Sequence, residues 1–391
     1  MHSPESTIFN PDTQLRTAIV AEPSLEHASG VTNSVLRVAE RLEEREYPAT
    51  IICPGPAREE YSSAEVSTVP HVRLKGFNVG LATTNSVARR LEVFRPDVVH
   101  VASPFGPLGA AGIRAAAKLD IPCVAIYQTD MPNYLKRYME ELGHPRTAQS
   151  IHDFAARRVA NLHNTATLNL APSSTAREAL LAYGANPEKV DLWGRGVDAK
   201  LFNPERRNTP EVAALREQLS PEGLPIVGYV GRLASEKRVG RLGALADLAA
   251  KIVIVGDGPE RDALKQSLGD KAVFLGELRG NALANAYATF DIFAHTGTNE
   301  TFGQTLQEAM ASAAPVVAPA AGGPIDIVKN GKTGFLYEAD DDGALRSSIA
   351  TLVNDAEMRQ AMGRAGRRAV EPRSWSSVCD NLIGYYHTVA K

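Results

Sequence analysis

Residues 225–237 read PIVGYVGRLASEK, an apolar run that ends in a glycine and continues into a segment with two cations. The apolar part, Pro225–Val230, predicts a buried strand of a parallel sheet, because such strands are apolar on both faces. Similar runs follow it and alternate with helical patterns, which predicts an α/β domain. These further runs are Lys251–Val255, Ala272–Leu275, Asp291–His295, Pro315–Pro319 and Thr333–Tyr337.

The N-terminal half of the chain has the same rhythm. Its strand-like runs are Thr17–Glu22, Ala49–Pro54, Asp97–Ala102, Pro122–Thr129 and Leu168–Ser173. After the first run, apolar residues at helical spacing predict a crossover helix over Val31–Leu42. A stretch rich in Asn, Pro and charge, residues 202–222, predicts the linker between two domains. The predicted fold class is therefore α/β, with two Rossmann-like, doubly wound domains that cover residues 1–200 and 201–372.

Composition limits what such domains bind. The chain has 391 residues, and its 42 Lys and Arg against 45 Asp and Glu give a formal net charge of -3. A protein that covers nucleic acid needs a basic field, so this class is excluded. A small anionic ligand needs only a local cluster of cations. In doubly wound folds, ligands bind beyond the carboxyl ends of the strands, and two such domains are expected to enclose one cleft.

The cysteines and the apolar runs indicate the compartment. Cys53, Cys123 and Cys379 are an odd number without C-x-x-C spacing, so we expect reduced packing residues. Met1–Arg16 has no apolar core of a signal peptide, and no run approaches the roughly 18 apolar residues of a membrane span. The expectation is a cytoplasmic protein that is at most peripheral to a membrane.

Two cations follow the strand Pro225–Val230. Arg232 and Lys237 lie five positions apart where the chain leaves the sheet. A guanidinium can fork onto phosphate oxygens and an ammonium adds a compact charge, so the pair suits a diphosphate leaving group. The alternative is a pair of solvated surface cations.

Two carboxylates eight positions apart mark the most informative stretch, Glu300–Met310. Glu300 and Glu308 would be about 12 Å apart if both were helical, which suits a nucleoside diphosphate sugar along a helix start. Glu300 would reach a hexose and Glu308 a ribose, while the amides near Phe302, Gly303 and Gln304 would receive the phosphates. The alternative is an exposed helical face.

Three weaker signals also lie at strand ends. Gly256 belongs to a glycine-rich turn, and the backbone around Gly276 and Leu278 is placed to hydrogen-bond a planar base. Gly30 precedes the first helix, where amides and the helix dipole attract anions. The first turn, residues 21–32, lacks the G-x-G-x-x-G of a dinucleotide site, which disfavours a nicotinamide or flavin enzyme.

The order of these motifs resembles the retaining GT-B glycosyltransferases of family 4. Within that family the chain is most similar to actinobacterial GDP-mannose-dependent α-mannosyltransferases that elongate envelope glycolipids. The resemblance covers nearly the whole chain. It rests on the Gly30 turn, Gly231-Arg232 with Lys237, Val255-Gly256-Asp257-Gly258-Pro259, the pair Glu300 and Glu308, Gly322-Gly323-Pro324, Trp193–Asp198 and Gln307–Ser312.

The resemblance implies a role for each matching residue. Arg232 and Lys237 would clamp the diphosphate, Glu308 would bind the ribose, and Glu300 with Phe302 and Gly303 would contact the transferred sugar. Gly30 would approach the phosphates from the N-terminal, acceptor-binding domain, which the helix in residues 373–391 would complete. The implied donor-binding set is Gly30, Arg232, Lys237, Gly256, Gly276, Leu278, Phe302, Gly303, Gln304 and Glu308.

One position departs from the family pattern. Many relatives carry a histidine after the strand Pro122–Thr129, where this chain has Gln128. An acid–base role there is therefore in doubt, because an amide does not titrate. Asp130 is the nearest candidate for contacting sugar or acceptor, and a helix-capping aspartate is the alternative. The implied catalytic set is Glu300, Arg232, Lys237 and Asp130.

The resemblance also implies the chemistry. Mannose would pass from GDP-mannose to a membrane glycolipid with retention of configuration, without a bound metal, through same-face attack assisted by the leaving phosphate. The partners would be the donor, the glycolipid and the inner face of the plasma membrane, with the oligomeric state undetermined. The alternatives are another nucleotide sugar or a phosphoinositide acceptor, a nucleotide-sugar epimerase or hydrolase, and a periplasmic-type sugar-binding protein, which the absence of a signal peptide disfavours.

Several charged residues have simpler explanations. His100 ends a buried strand and is expected to be a satisfied core histidine. The run Asp340–Asp342 precedes a helical pattern and is expected to serve the helix start rather than a metal. Residues 134–139 mix aromatic, apolar and basic side chains as interfacial helices do, although packing on the parent domain explains them too. A second basic candidate comprises Arg89, Arg90 and Arg95.

Overall fold

The computed structural model describes residues 14–22, 24–26, 29–56, 60–74 and 77–390, without the side chains of Leu74 and Phe77. The chain divides into two compact units. Unit 1 comprises Met1–Gly194 and Val378–Lys391, and unit 2 comprises Arg195–Ser377.

Unit 1 alternates strands and helices through most of its length. Its strands and helices, in chain order, are β1 Thr17–Val20, α1 Gly30–Glu44, β2 Ala49–Pro54, β3 Glu60–Tyr61, β4 Ala64–Val69, β5 His71–Leu74, β6 Phe77–Gly80, α2 Thr84–Phe94, β7 Val98–Val101, α3 Pro107–Lys118, β8 Cys123–Ile126, α4 Met131–Glu141, α5 Pro145–Thr165, β9 Leu168–Ala171, α6 Ser174–Ala182 and β10 Val190–Leu192.

Unit 2 repeats the alternation with shorter connections. Its strands and helices are α7 Pro210–Leu219, β11 Ile226–Val230, β12 Lys251–Val255, α8 Arg261–Leu268, β13 Ala272–Gly276, α9 Gly280–Thr289, β14 Ile292–Ala294, α10 Gln304–Ala311, β15 Val316–Pro319, α11 Pro324–Ile327, β16 Gly334–Tyr337, α12 Asp342–Asn354 and α13 Ala356–Val370. The last helix, α14 Trp375–Val389, begins in unit 2 and continues into unit 1. Short 3₁₀ turns cover Pro187–Lys189, Pro204–Asn208, Ser235–Lys237, Val239–Leu245 and Gly269–Lys271.

Each unit is built on a parallel sheet with one reversal of strand order. Within the described residues, the sheet of unit 1 has eight strands in the order β10-β9-β8-β7-β1-β2-β4-β3, of which only the β3–β4 pair is antiparallel. The sheet of unit 2, whose residues are all described, has the order β13-β12-β11-β14-β15-β16 and is parallel throughout. The order reverses between β1 and β7 in unit 1, and between β11 and β14 in unit 2, and ligands bind at such switch points.

Apolar side chains on both faces of the sheets form the cores. Every residue of β1, β7 and β8 is buried, and so is every residue of β11. This burial explains why continuous apolar runs predicted the strands. Cys53, Cys123 and Cys379 are buried thiols, in agreement with their expected packing role.

The prediction that residues 202–222 form the linker between the domains is wrong. It folds as part of unit 2, with the 3₁₀ turn Pro204–Asn208 followed by helix α7. Arg216 of α7 donates to the carboxylate of Asp291 at 2.6 Å and to the Thr289 carbonyl at 2.6 Å. The charges in this stretch therefore anchor a helix to the sheet rather than solvate a linker.

The first unit boundary, Gly194/Arg195, falls several residues before the expected one. The second, Ser377/Val378, falls several residues after the expected one. Side chains of α10 explain the first boundary, because Gln307 donates to the Arg195 carbonyl and Gln304 to the Gly196 carbonyl, each at 3.0 Å. The C-terminal part of α14 packs on unit 1. There the Tyr386 hydroxyl lies 2.6 Å from His100 Nδ1, so His100 is the buried core histidine that its strand position predicted.

Candidate active site

The switch point of unit 2 brings together the two most specific sequence motifs. Lys237 lies at the end of the segment after β11, and Glu300 lies in the segment after β14. Lys237 Nζ donates to Glu300 Oε2 at 2.6 Å, and each side chain keeps about a quarter of its surface exposed. The ammonium and the carboxylate therefore form a partly accessible ion pair where a ligand is expected.

Backbone contacts fix the position of Lys237. Thr296 Oγ1 donates to the Lys237 carbonyl at 2.7 Å, which links the segment after β14 to the segment after β11. Arg232, the other predicted cation, pairs with Glu236 one turn later and is about half exposed. Both cations thus remain near the switch point, and each is neutralised by a carboxylate of the same unit.

Opposing effects set the charge of Glu300. Burial alone would raise the pKa of its carboxyl, but the Lys237 ammonium and, to a smaller extent, His295 outweigh burial and leave the pKa below its usual range. Glu300 is therefore ionised at neutral pH. It is suited to accept hydrogen bonds from hydroxyl groups.

A glycine turn holds the segment that carries Glu300. The Gly323 amide donates to the Glu300 carbonyl at 2.7 Å. A Cβ on Gly322 would lie 2.5 Å from the same carbonyl oxygen, and one on Gly323 would lie 2.5 Å from the carbonyl carbon of Phe302. The Gly322-Gly323 turn therefore packs closely against the protein's own backbone.

Helix α10 begins four residues after Glu300, so of the two glutamates only Glu308 is helical. Gly303 caps the helix in the left-handed region, with φ 108°, and no side chain caps its first amides. The Phe302 side chain is 7% exposed and belongs to the hydrophobic core. Gln304 donates to the Gly196 carbonyl. The groups available to a ligand here are therefore the backbone amides of Phe302, Gly303 and Gln304 at the start of a helix.

Glu308 lies inside α10 and is half-buried. The Tyr287 hydroxyl donates to its Oε2 at 2.8 Å. Burial raises the pKa of the Glu308 carboxyl to about 7, although the hydrogen bonds from Tyr287 and Gln304 oppose the rise. Glu308 is therefore poised between a neutral and a charged form near neutral pH.

This raised pKa predicts a pH-dependent stability. An unfolded chain releases the Glu308 proton near pH 4.5, whereas the folded chain holds it until about pH 7, so folded stability falls as the pH rises through that window. Glu308→Gln keeps an acceptor for Tyr287 and removes the titration. We expect the melting temperature of Glu308→Gln, relative to the parent, to rise between pH 4.5 and 7 and then to level off in thermal melts.

Glu22 titrates in the same window in both proteins, because burial raises the pKa of its carboxyl to about 7. Because Glu22 contributes equally to both proteins, its contribution cancels in the difference between their melting temperatures. A difference in melting temperature that stays constant from pH 4.5 to 7.5 would contradict the assignment to Glu308.

The remaining predicted residues of unit 2 make contacts with its own backbone and hydrophobic core. Gly256 donates to the Gly276 carbonyl at 2.7 Å, and a Cβ on Gly256 would overlap the carbonyl oxygen of Gly231. Leu278 packs against the hydrophobic core. These contacts give Gly256 a packing role in the loops beside the site, and the Gly276 carbonyl accepts one of them.

Two predicted site residues, Gly30 and Asp130, lie in unit 1, together with Gln128. Gly30 begins α1, and among the described residues, apart from its chain neighbours and its own helix, no atom lies within 4 Å of where its Cβ would be. Gln128 donates to the Ala102 carbonyl at 2.7 Å. Asp130 caps α4, and its carboxylate accepts from Asn133 Nδ2 at 2.7 Å and from the Tyr183 hydroxyl at 2.9 Å. These contacts favour the capping role for Asp130. Pro23, His27 and Ala28 of the Gly30 turn lie outside the described residues, as do Met1–Thr13.

Sequence reasoning missed two buried groups at the switch points. Glu22 follows β1, and its Oε2 accepts from the Gly109 amide at 2.8 Å. His295 follows β14, and its Nε2 lies 3.8 Å from Glu300 Oε2. Both are polar residues at the carboxyl end of a strand beside the reversal, and that position is a signal available from the sequence.

The structure favours the simpler explanation of residues 340–342. Asp341 caps α12, and Asp340 and Asp342 pair with Arg241, Asp342 Oδ1 at 2.5 Å from Arg241 Nε. Within the described part of the chain, no group of three or more His, Cys, Asp or Glu side chains is arranged to hold a metal ion.

Comparisons with known proteins cover almost the whole chain. Residues 28–201 match the family Glycosyltransferase Family 4, and residues 213–369 match Glycosyl transferases group 1. A GDP-mannose-dependent alpha-mannosyltransferase of Mycobacterium tuberculosis is 43% identical over 96% of this chain and 97% of its own length. One of the same name from Corynebacterium glutamicum is 39% identical over 96% and 89%.

Solved structures share the fold at lower sequence identity. Anabaena Alr3699/HepE in complex with UDP and glucose is 20% identical, with a TM-score of 0.78 over 96% of this chain and all of its own. The sucrose-phosphate synthase of Thermosynechococcus elongatus is 20% identical, with a TM-score of 0.77 over 96% and 98%. The predicted GT-B fold class, with two Rossmann-like α/β domains, is confirmed. With curated relatives 39 to 43% identical along almost its full length, the chain belongs to glycosyltransferase family 4.

Proposed function

We propose that this enzyme transfers mannose from GDP-mannose to a glycolipid acceptor with retention of configuration. The observation that carries the proposal is the Lys237–Glu300 pair at the switch point of unit 2, with Glu308 on the helix that follows. The names of the relatives, GDP-mannose-dependent alpha-mannosyltransferases, support the choice of donor.

Each part of the donor has a proposed partner in unit 2. The diphosphate would bind Arg232, Lys237 and the uncapped amides at the start of α10, where cations and the helix dipole favour negative charge. The ribose hydroxyls would donate to Glu308. Mannose hydroxyls would donate to Glu300, which is ionised and partly exposed.

The charges suit a reaction without a covalent intermediate. The bond between the anomeric carbon and the bridging phosphate oxygen would break as the acceptor oxygen bonds to the same face of the sugar. The acceptor proton would pass to the leaving phosphate. Lys237 and Arg232 would stabilise the charge that develops on that phosphate. No step of this reaction uses Glu300 as a nucleophile, since its carboxylate is assigned to the mannose hydroxyls. Trapping a mannosyl adduct on Glu300 or Asp130 would overturn this mechanism.

We propose unit 1 as the acceptor-binding unit, with peripheral contact to the cytoplasmic face of the plasma membrane. None of the described helices is long and apolar enough to cross a membrane. Helix α4 buries only Pro132 of its residues. Tyr134, Leu142 and Phe154, on or beside α4 and α5, are 41 to 64% exposed, and Lys136 and Arg137 add positive charge between them. Exposed apolar groups close in sequence to basic ones are typical of interfacial helices.

Charge reversal tests this contact. We expect Lys136→Glu/Arg137→Glu to lower co-sedimentation with anionic lipid vesicles at least about tenfold, because each basic residue near such a surface contributes about 1 kcal/mol. The control, Lys329→Glu/Lys332→Glu, makes the same change of charge on exposed residues of unit 2. Equal co-sedimentation of both variants and the parent would exclude this surface as the membrane contact.

The transferase activity itself is tested by incubating purified protein with labelled nucleotide sugars and host membranes, and then identifying the labelled lipid. We expect label from GDP-mannose in a glycolipid. Label from a UDP-sugar would correct the donor, and label in a phosphoinositide would correct the acceptor. Turnover of donor without membranes would instead indicate an epimerase or hydrolase.

A further inference from the structure

His295 is a buried polar residue beside the candidate site, and none of the roles assigned above uses it. The residue is 2% exposed. Neither ring nitrogen makes a hydrogen bond of normal geometry with a described residue, and the Gly297 backbone is the main-chain group that interacts with the ring. Buried polar side chains are rarely left in this state, and the exceptions cluster at functional sites. The ring therefore has unused hydrogen-bonding capacity in the interior of unit 2.

The backbone fixes where the ring lies. The His295 amide donates to the Val317 carbonyl at 2.8 Å, and the Tyr337 hydroxyl donates to the His295 carbonyl at 3.1 Å. Gly297 passes beside the ring, since a Cβ there would lie 3.4 Å from Nε2. The main chain of His295 is thus held on both sides, and its Nε2 lies 3.8 Å from Glu300 Oε2.

The same oxygen of Glu300 faces both Lys237 and His295. A carboxylate oxygen has two lone pairs, so it can accept from both groups. Lys237 has a competing task in the proposed function, because a diphosphate attracts the ammonium. When Lys237 turns toward phosphate, the Glu300 carboxylate needs another donor to hold its position.

We propose that His295 is a positioning residue for Glu300, which its Nε2–H holds in place when the donor diphosphate engages Lys237. This inference rests on the proposed function and adds a residue to it. The step requires Nε2 and Oε2 to approach by less than about 1 Å from 3.8 Å to reach hydrogen-bond distance. Burial lowers the pKa of His295 to about 4, so the ring is neutral and does not compete with Lys237 as a cation.

Three variants separate this role from simple packing. Glutamine places an amide nitrogen near the position of Nε2, asparagine places one near Nδ1, and phenylalanine fills the space without a donor. We expect His295→Asn and His295→Phe to lower kcat about 50-fold, as the loss of a hydrogen bond to a charged group does, and His295→Gln to lower it only about fivefold. The KM for the donor and the affinity for GDP should change less than about threefold, because Lys237, Arg232 and Glu308 remain.

The measurements are kcat and KM with the donor that the parent uses, GDP affinity by calorimetry, and thermal melting. If glutamine and asparagine lower kcat equally, or if phenylalanine leaves kcat within about threefold of the parent, the positioning role is wrong. A parent that transfers no mannose from GDP-mannose but uses another nucleotide sugar overturns the proposed donor alone, and the same comparison is then made with that sugar. Should His295→Phe not fold, glutamine against asparagine still decides.

Discussion

Replacing Lys237 by methionine is expected to lower kcat by about two to three orders of magnitude. Lys237 lies at the switch point of unit 2 and is the cation proposed to face the leaving diphosphate. Methionine keeps the length of the side chain but removes the charge, and the loss of one preorganised donor to developing negative charge has effects of about this size. The affinity for GDP should fall too, because GDP carries the same diphosphate.

The variant also leaves Glu300 without its cation. Burial of Glu300 remains, so its carboxyl pKa should rise when Lys237 no longer opposes that effect. In the variant, Glu300 is then partly protonated at a pH where the parent is ionised. We expect part of the lost activity to return as the pH is raised, a pattern that the loss of a remote surface charge does not produce.

Lys251→Met is the matched control. Lys251 begins β12, so it lies at the amino end of its strand, whereas the site follows the carboxyl ends of the strands. Its Nζ donates to the Asp270 carbonyl at 2.6 Å. Its activity should stay within about twofold of the parent, as surface substitutions away from a site usually have small effects. Lys237→Met with kcat within about tenfold of the parent would remove Lys237 from the proposed clamp.

The double variant Lys237→Met/Glu300→Gln distinguishes a pair from two separate contributors. Residues that act together have effects that do not add, whereas independent ones add in free energy. We expect the double variant to lose little more activity than the worse of the two single variants. Additive losses would mean that Lys237 and Glu300 contribute to turnover independently.

The sequence predicted the sheets well because their strands are buried on both faces. The run Lys251–Val255 is a strand with those same ends, and β11 begins one residue after the predicted start at Pro225. The short strands β3 to β6 have mixed exposure and no continuous apolar run, so they were not predicted. Helix α7 was mistaken for a linker because its charged residues were interpreted as solvated. Arg216 in fact donates a hydrogen bond to the Asp291 carboxylate.

The structure brings together the charged residues of the predicted site, while part of the predicted backbone makes contacts within unit 2. Arg232, Lys237, Glu300 and Glu308 all lie in the segments after β11 and β14 or on α10. Gly256 and Gly276, both expected to bind the donor, also make backbone contacts within unit 2 that a sequence does not display. His295 was taken for the end of an apolar strand, because the ring's proximity to Glu300 depends on the path of the loop between them.

The second large effect concerns the turn that supports Glu300. Gly323 has φ -56° and ψ -31°, which alanine adopts freely, so backbone conformation does not require glycine there. The requirement is steric, because a Cβ on Gly323 would lie 2.5 Å from the carbonyl carbon and the Cα of Phe302. Gly323→Ala must therefore push the Glu300–Phe302 backbone away. Overpacking of this kind costs about 1 to 3 kcal/mol, and we expect a melting temperature lower by several degrees.

Activity should fall further than stability in Gly323→Ala, because the displaced backbone carries Glu300 and leads into α10. The Gly323 amide also donates to the Glu300 carbonyl, so the same shift weakens that 2.7 Å bond. A displacement of about 1 Å at a reacting group is enough for a loss of about 100-fold in kcat. Gly240→Ala is the control, since the nearest atom to its Cβ would be Leu264 Cδ2 at 3.7 Å, an ordinary contact. Equal melting temperatures and equal kcat in the two alanine variants would show that the Gly322-Gly323 turn does not hold Glu300, whereas loss of kcat in folded Gly323→Ala alone would assign the turn that task.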